Sequence, residues 1–424
     1  MIVSDLKLRR LHAALAVFET GSSLKAAESA RLSQPAVATA LAALEKDLDA
    51  RLFERTARGM SPTEEGRLFC ARLQAAFDCL KTAESELQAL KGEARPSAPL
   101  HRLVTETQLR ALSAMVEAGG FSDAARRLGL AQPSIHRAAR DLEQLCGVDL
   151  WRREGPAISP TPAAHRLARQ ARLFHHELES GLAEIRELQG RMEGALNIGA
   201  LPLARARWLP GALASLMLQH PDARVRIVDG PYPEQLGALF DGRIDFILGA
   251  LRDPAPQGVI QEWLFDDPLV ILVRQGHPLA RDFDSDRDKL TPEQLGALAW
   301  VLPHGATPAR QHFEDFMALK GLEPPARVIE CSSVVATRAL LLDTDYAAVL
   351  SRQQVEIELD QKLLKVMGPP LTGSHRPIGI AWRQSFRPTR LQGALLDELR
   401  SQHPPEAAKN RAQSGDCDGP AIWI

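Results

Sequence analysis

Two stretches of the chain carry residue types that read a nucleic acid. The first is Ser33-Gln34-Pro35-Ala36 followed by Thr39; the second is Gln132-Pro133-Ser134 followed by His136, Arg137 and Arg140. A glutamine amide matches adenine in two points and an arginine guanidinium matches guanine, each pair discriminating by roughly 1–3 kcal/mol. Further arginines able to hold phosphate follow each stretch, Arg55 and Arg58 after the first and Arg153 after the second. Pro156 stands where the second stretch would repeat Arg58. The second stretch is cationic and the first nearly uncharged. The second is therefore expected to supply more direct readout, and the first mainly phosphate contacts or a dimerisation scaffold. The plainer alternative is a helical bundle whose Arg and Gln are merely solvated.

The elements that must position these residues occur twice. Gln34-Pro35 returns as Gln132-Pro133, an offset of 98, and the same offset maps Gly21 to Gly119, Leu44-Glu45 to Leu142-Glu143 and Ser61-Pro62-Thr63 to Ser159-Pro160-Thr161. A gapless register over some fifty positions marks a duplicated module. Within a copy, Leu8, Leu11, Leu15 and Phe18 follow helical spacing up to Gly21, and Ser22 or Ser23 can cap a second helix. Ser33 caps a third, with Pro35 in its first turn and Val37, Leu41, Leu44 and Leu48 facing inward. Two short helices joined by a tight turn form a helix-turn-helix, whose second helix enters the major groove. A long helical pattern follows each copy, over 64–91 and 163–189.

These blocks resemble a known family. G-S-S-L-K-A-A, S-Q-P-A-V-A-T-A-L-A-A-L-E, L-F-E-R-T-A-R and S-P-T-E-E-G resemble the winged helix-turn-helix of LysR-type transcriptional regulators, and G-G-F-S-D-A-A-R-R-L, A-Q-P-S-I-H-R-A-A-R-D-L-E and L-W-R-R resemble it a second time. Ordinary members carry one such module, with a linker helix that pairs with its counterpart in a second subunit. Two linker helices in one chain leave pairing within the chain and pairing between chains both open.

From Glu193 the pattern changes to short apolar runs at 195–200, 225–228, 245–251, 269–273, 299–302 and 327–330, alternating with helical stretches at 203–219 and 309–319. This alternation argues for parallel sheets flanked by helices. The segment 194–402 resembles the family's effector-binding region, similar to periplasmic solute-binding proteins, through G-A-L-N-I-G-A, D-G-R-I-D-F-I-L-G, V-R-Q-G-H-P-L and E-C-S-S-V-V-A-T-R-A-L. The resemblance implies an effector cleft between two lobes, lined by Ala200, Leu201, Pro202, Leu203, Gly249, Ala250, His304, Thr307, Ser332 and Ser333. Many relatives place a hydroxyl near Leu201; its absence here shifts the head-group contact to His304, Thr307, the serine pair or free amides. Ser332 and Ser333 also precede an apolar helix and can serve as caps without any ligand.

The expected architecture is multidomain: two all-α-rich winged helix-turn-helix domains with long linker helices, then an α/β two-lobed effector domain. The expected bounds are 1–93, a joint at 94–100, 101–192, 193–403 and a disordered tail at 404–424. The function expected from the resemblance is sequence-specific transcriptional regulation under a small-molecule effector, organic acid or sugar-like. Expected partners are double-stranded DNA, that effector, RNA polymerase and further copies in a dimer or tetramer. The alternative is a ligand sensor acting only through protein partners.

Composition sets the remaining bounds. The chain has 424 residues, 45% apolar and 25% charged, and a formal charge of -2. That is a folded chain long enough for several domains. Residues 101–191 hold 13 Lys+Arg and 11 Asp+Glu, whereas 192–424 hold 24 and 29, so the acidic excess lies in the C-terminal half. Five cysteines without C-x-x-C spacing suggest neither a disulfide framework nor a metal site. No P-loop, G-x-S-x-G, H-E-x-x-H or G-x-G-x-x-G supports an enzyme, so no catalytic residue and no cofactor is expected. His175-His176 lies in a helical pattern and is expected at the surface. Charges at Asp5, Lys7, Arg9 and Arg10 interrupt any leader-like run, and a cytoplasmic protein without a membrane span is expected.

Overall fold

The computed structural model describes residues 6–57, 59–91, 99–154, 157–285, 287–305 and 307–402. The tail expected at 404–424, most of the joint at 94–100, and Arg58 lie outside them. The chain opens with α1 (Leu8–Thr20), α2 (Ser23–Ala30), α3 (Gln34–Leu48), a hairpin of β1 (Phe53–Thr56) and β2 (Gly59–Pro62), and the long α4 (Glu64–Lys91). After the short α5 (Leu100–Leu103) the same order returns: α6 (Glu106–Ala118), α7 (Phe121–Leu128), α8 (Gln132–Cys146), β3 (Trp151–Glu154), β4 (Ala157–Pro160) and α9 (Pro162–Leu188). Each of these elements begins 98 residues after its counterpart.

Local chemistry explains the boundaries. Gly21 ends α1 in the left-handed conformation, φ 62°, and returns its N–H to Val17 O. The hydroxyls of Ser22 and Ser33 accept from Lys25 N and Ala36 N and so cap α2 and α3. Val37, Leu41, Leu44 and Leu48 are buried, as their spacing predicts. The repeated Leu-Glu pair also has a task. Glu45 Oε1 accepts from Leu52 N and Phe53 N at 2.8 and 3.1 Å, and Glu143 Oε1 accepts from Leu150 N and Trp151 N at 2.8 and 3.3 Å, tying each third helix to the start of its hairpin.

The two long helices pack against each other within the one chain and run antiparallel. Phe77 meets Phe174 edge to face, with ring centroids 5.8 Å apart. Arg72 Nε donates to Glu184 Oε1 at 2.9 Å near one end, and Gln170 Nε2 donates to Glu86 Oε1 at 3.2 Å near the other. These two bonds are the same bond twice, because 72 and 170, and 86 and 184, are related by the repeat offset of 98. The helices are therefore related by a pseudo-two-fold axis near Phe77. Leu73, Phe77, Leu80 and Leu87 of α4 and Leu167, Phe174, Leu178 and Ile185 of α9 belong to one buried core that also takes in α1 and α3. Fully burying each such side chain contributes about 1.5–3 kcal/mol.

The rest of the chain forms two lobes. Lobe 1 has strand order β6-β5-β7-β14-β8, from β5 (Ala195–Ala200), β6 (Arg224–Val228), β7 (Phe246–Ala250), β8 (Val259–Asp267) and β14 (Arg376–Arg383), with α10 (Trp208–Gln219), α11 (Tyr232–Phe240) and α16 (Arg390–Ser401). Lobe 2 has order β11-β10-β12-β9-β13, from β9 (Leu269–Arg274), β10 (Ala299–Leu302), β11 (Val328–Glu330), β12 (Tyr346–Ser351) and β13 (Leu364–Val366). Its helices are α12 (Pro292–Ala297), α13 (Pro308–Leu319), α14 (Val334–Asp343) and α15 (Glu356–Asp360). The expectation of parallel sheets needs correction. β5, β6 and β7 are parallel, as are β10, β11 and β12, but β14 runs antiparallel to β7, and β9 to β12. The chain crosses between the lobes twice, and a strand entering a lobe from the crossing side starts at the carboxyl ends of the parallel strands. It must run against them. The two crossings are bound together by Asp267, which is buried and paired with Arg376 and Ser351.

Candidate functional site

The leading turns of α3 and α8 are open to solvent. Ser33, Gln34, Pro35 and Thr39 are exposed and Ala36 half-buried; Gln132, Pro133, Ser134, Arg137 and Arg140 are exposed. Several of the α3 groups are engaged locally: Ser33 as cap, Gln34 Nε2 donating to Ser23 Oγ at 3.1 Å, and the Thr39 hydroxyl donating to Pro35 O at 2.9 Å. On α8, His136 is half-buried because its ring stacks on Phe121, centroids 3.7 Å apart at 17°, which joins α7 to α8. Arg55 and Arg153 are exposed on β1 and β3. On α7 and β3 three more exposed cations occur among the described residues, Arg126, Arg127 and Arg152, which the residue pattern alone had not marked. The repeat register was the available signal, since their counterparts are Glu28, Ser29 and Glu54.

Among the effector candidates, side chains and backbone part ways. Ala200, Leu201 and Leu203 are buried in lobe 1, and Leu201 N donates to Leu248 O at 2.9 Å, so neither the Leu201 side chain nor its amide faces a ligand. Gly249 lies at φ +144°, and a Cβ there would stand 2.7 Å from Leu201 Cβ. Pro202 is exposed and Ala250 half-buried. In lobe 2, Thr307 caps α13, accepting from Arg310 N and donating to His304 O, while Ser333 caps α14 by accepting from Ala336 N. Ser332 and His304 are exposed, and His304 lies 3.9 Å from Glu330.

Charged groups near the strand ends complete this region. Arg205 pairs with Asp229 at 3.0 Å, and Arg207 Nε bridges the lobes to Glu356 Oε2 at 3.1 Å. Arg252 lies over the Tyr232 ring, 4.1 Å from its centroid, and donates to Ala250 O. Burial lowers the Arg252 pKa and raises that of Tyr232. Arg252 falls just after a run read as a strand, and Arg205 and Arg207 lie in the turns between β5 and α10, beyond a strand's carboxyl end where ligands of open α/β sheets bind. A cavity of about 580 Å³ separates the lobes between α10 and α15, lined by Arg207, Trp208, Arg352 and Glu356 among others and by none of the ten effector candidates.

Lobe 1 is seated on the long helices. Glu187 of α9 accepts from Arg390 N and Leu391 N at 3.0 and 3.1 Å, placing a buried carboxylate on the positive end of α16. Arg172 of α9 meets Asp241 at 3.0 Å, and Arg72 Nη2 reaches Arg387 O at 2.8 Å. Arg72 also pairs with Glu177 at 3.1 Å. Burial works against its charge, but the bonds to Glu184 and Glu177 outweigh that and raise its pKa. His176 is not at the surface, contrary to expectation. Its side chain keeps only 11% exposure and lies 3.7 Å from Asp245, because the helix face that carries it is covered by lobe 1. Burial, reinforced by Arg383 and Arg72, lowers its pKa to about 3, and burial raises that of Asp245 to about 6. Among the described residues no helix is long and apolar enough to cross a membrane, and no cluster of metal-ligating side chains occurs.

A family model described as the LysR substrate binding domain matches residues 189–404, more than half of the chain. A second, the bacterial regulatory helix-turn-helix protein of the lysR family, matches residues 8–67 and 107–165. The chain is a LysR-type transcriptional regulator. As such it binds DNA in a sequence-specific manner and responds to a small-molecule effector in its two-lobed domain. Among relatives of this LysR-type regulator is the HTH-type transcriptional regulator GalR of Pseudomonas putida, 32% identical over 93% of this chain and 96% of its own length. The uncharacterized regulator YdcI of Escherichia coli is 27% identical over 65% of this chain and 88% of its own. A full-length OxyR variant from Pseudomonas aeruginosa shares the fold with a TM-score of 0.52 at 23% identity, covering 69% of this chain and 94% of its own.

Proposed function

We propose that this regulator carries two winged helix-turn-helix heads in one chain and that a single chain does the work of a dimer on DNA. The carrying observation is the antiparallel pairing of α4 with α9 inside the chain, through the equivalent bonds Arg72–Glu184 and Gln170–Glu86. In this reading the first head and its linker helix span 1–93, the second 101–192, and the effector domain 193–403. The GalR match covers 93% of the chain, a span that includes most of both heads, whereas the YdcI match covers 65%. The leading residues of α3 and α8, with Arg55 and Arg153, would face bases and phosphates. The effector is an organic acid or a sugar-like acid, met by Arg205, Arg252, His304 and Ser332 at the strand ends. It draws the lobes together across the Arg207–Glu356 bridge, and lobe 1 passes the change to the linker pair through Glu187 and Arg72. A ligand shifts such an equilibrium only by its difference in affinity for the two arrangements.

Further copies would join through the effector domain, where Leu218 on α10 is 87% exposed and Val335 on α14 is 75% exposed. The regulator would act in the cytoplasm, beside RNA polymerase, without catalysis of its own. Sedimentation of the complex with a minimal operator tests the central point. One chain protecting two half-sites is expected. One chain per half-site would overturn it.

A further inference from the structure

The two units are alike in backbone and unlike in the surface they present. At five exposed positions related by the repeat, the second unit has arginine and the first does not: Arg126, Arg127, Arg137, Arg140 and Arg152 stand opposite Glu28, Ser29, Thr39, Ala42 and Glu54. Two of the five lie on the exposed side of the reading helix itself. On α3 the corresponding surface is Gln34, Ala36, Ala38 and Thr39. The aromatic contact that ties α7 to α8, Phe121 on His136, is also private to the second unit, whose counterparts in the first are Ser23 and Ala38.

From this we infer that the operator is an inverted pair of unlike half-sites, one read by α3 through A·T pairs and the other read by α8 through guanine. The inference deepens the two-headed reading and rests on it. The pseudo-two-fold axis between α4 and α9 sets the orientation, because two-fold-related heads meet the two halves of a duplex in inverted order. The residue chemistry sets the difference. Gln34 and Gln132 can each pair with adenine, so the difference lies in their neighbours: small apolar side chains such as Ala36 and Ala38 contact the thymine methyl on one side, whereas Arg137 and Arg140 match the O6/N7 edge of guanine on the other. A homodimer presents the same head twice and cannot encode which half is which. One chain with two covalently ordered heads can, so the site has a direction and places the effector domain, which is seated on α9, at a defined side of the promoter.

The test is selection of duplexes from a randomised library by the full-length chain, followed by anisotropy titrations with the selected site and with both palindromes built from its halves. The expected consensus is non-palindromic, and the selected site binds more tightly than either palindrome. R137A should lower preference about 10-fold at guanine positions of one half only, and Q34A should relax adenine positions of the other half only. A palindromic consensus, or loss of preference in both halves from R137A, overturns this inference while leaving two-headed binding standing. Enrichment of a single half-site, or of no sequence, overturns the two-headed reading and this inference with it.

Discussion

Arg72 and Gln170 occupy the same position in the two long helices, and each reaches a glutamate of the opposite helix, Glu184 and Glu86. Only Arg72 goes further. It also binds Glu177 and the carbonyl of Arg387 in lobe 1. One effector domain is attached to a pair of linker helices that has two equivalent sides, and the side it covers is the one where the duplicated position is an arginine. The counterpart of Glu177 is Cys79, and that of His176 is Asp78, which is exposed and pairs with Lys81. The uncovered side has thus taken on a solvated face.

That asymmetry should appear in stability. R72Q leaves Glu177 and Glu184 with a neutral partner in a buried place, and removing one partner of a buried ion pair costs about 3–5 kcal/mol. Q170A removes a single bond to a half-buried carboxylate and should cost about 1 kcal/mol. Calorimetric melting of both variants checks this. Equal losses would contradict the account.

Glu187 holds two amides at the start of α16 from a helix outside the lobe. E187A leaves Arg390 N and Leu391 N without their charged acceptor, so about 2–3 kcal/mol should be lost. Hydrogen exchange should quicken in the first turn of α16 and at the end of α9 together. A loss confined to α9 would show that the carboxylate does not join the two.

The pH response should separate Asp245 from His176. Asp245 has a folded pKa of about 6, above its unfolded value, so its favourable contribution is present at low pH and is lost as pH rises through 6. D245N keeps an oxygen for Asn197 N and removes this loss, so the unfolding free energy from urea titration at pH 7 should rise by up to about 3 kcal/mol. His176 has a folded pKa of about 3, below its unfolded value, so the unfolded chain takes up a proton first and stability falls as pH drops below about 6.5. H176Q should flatten the acid side of the profile and leave pH 8 nearly unchanged. Profiles parallel to the parent in both variants would show that neither group titrates across these ranges.

Gly249 is required twice over, by its φ of +144° and by the Leu201 side chain against it. G249A should cost at least about 2 kcal/mol through backbone strain and displacement of Leu201. It should also weaken the response to an effector without changing affinity for DNA in its absence. Unchanged melting would mean that the strand end relaxes freely.

Much was legible from spacing and residue type alone. The recurrence of the element order at an offset of 98, a cap at Ser22 or Ser23 and one at Ser33, the stripe Val37–Leu41–Leu44–Leu48 and six of the ten strands of the two lobes were legible, because a cap or a helical face depends on neighbours a few residues away. The charge difference between α3 and α8 is also written in the sequence once the register of 98 is known. Other features needed the folded chain. β8, β12, β13 and β14 were not marked by any of the apolar runs, and β9 and β14 take their direction from where the chain crosses between lobes. The choice of α9 as partner for α4 depends on two surfaces a hundred residues apart, His176 is shielded from solvent only because lobe 1 lies over it, and Leu201 turns inward because Gly249 leaves the space. In each case the deciding free energy comes from a contact between distant segments, and no local pattern encodes which distant segment will arrive.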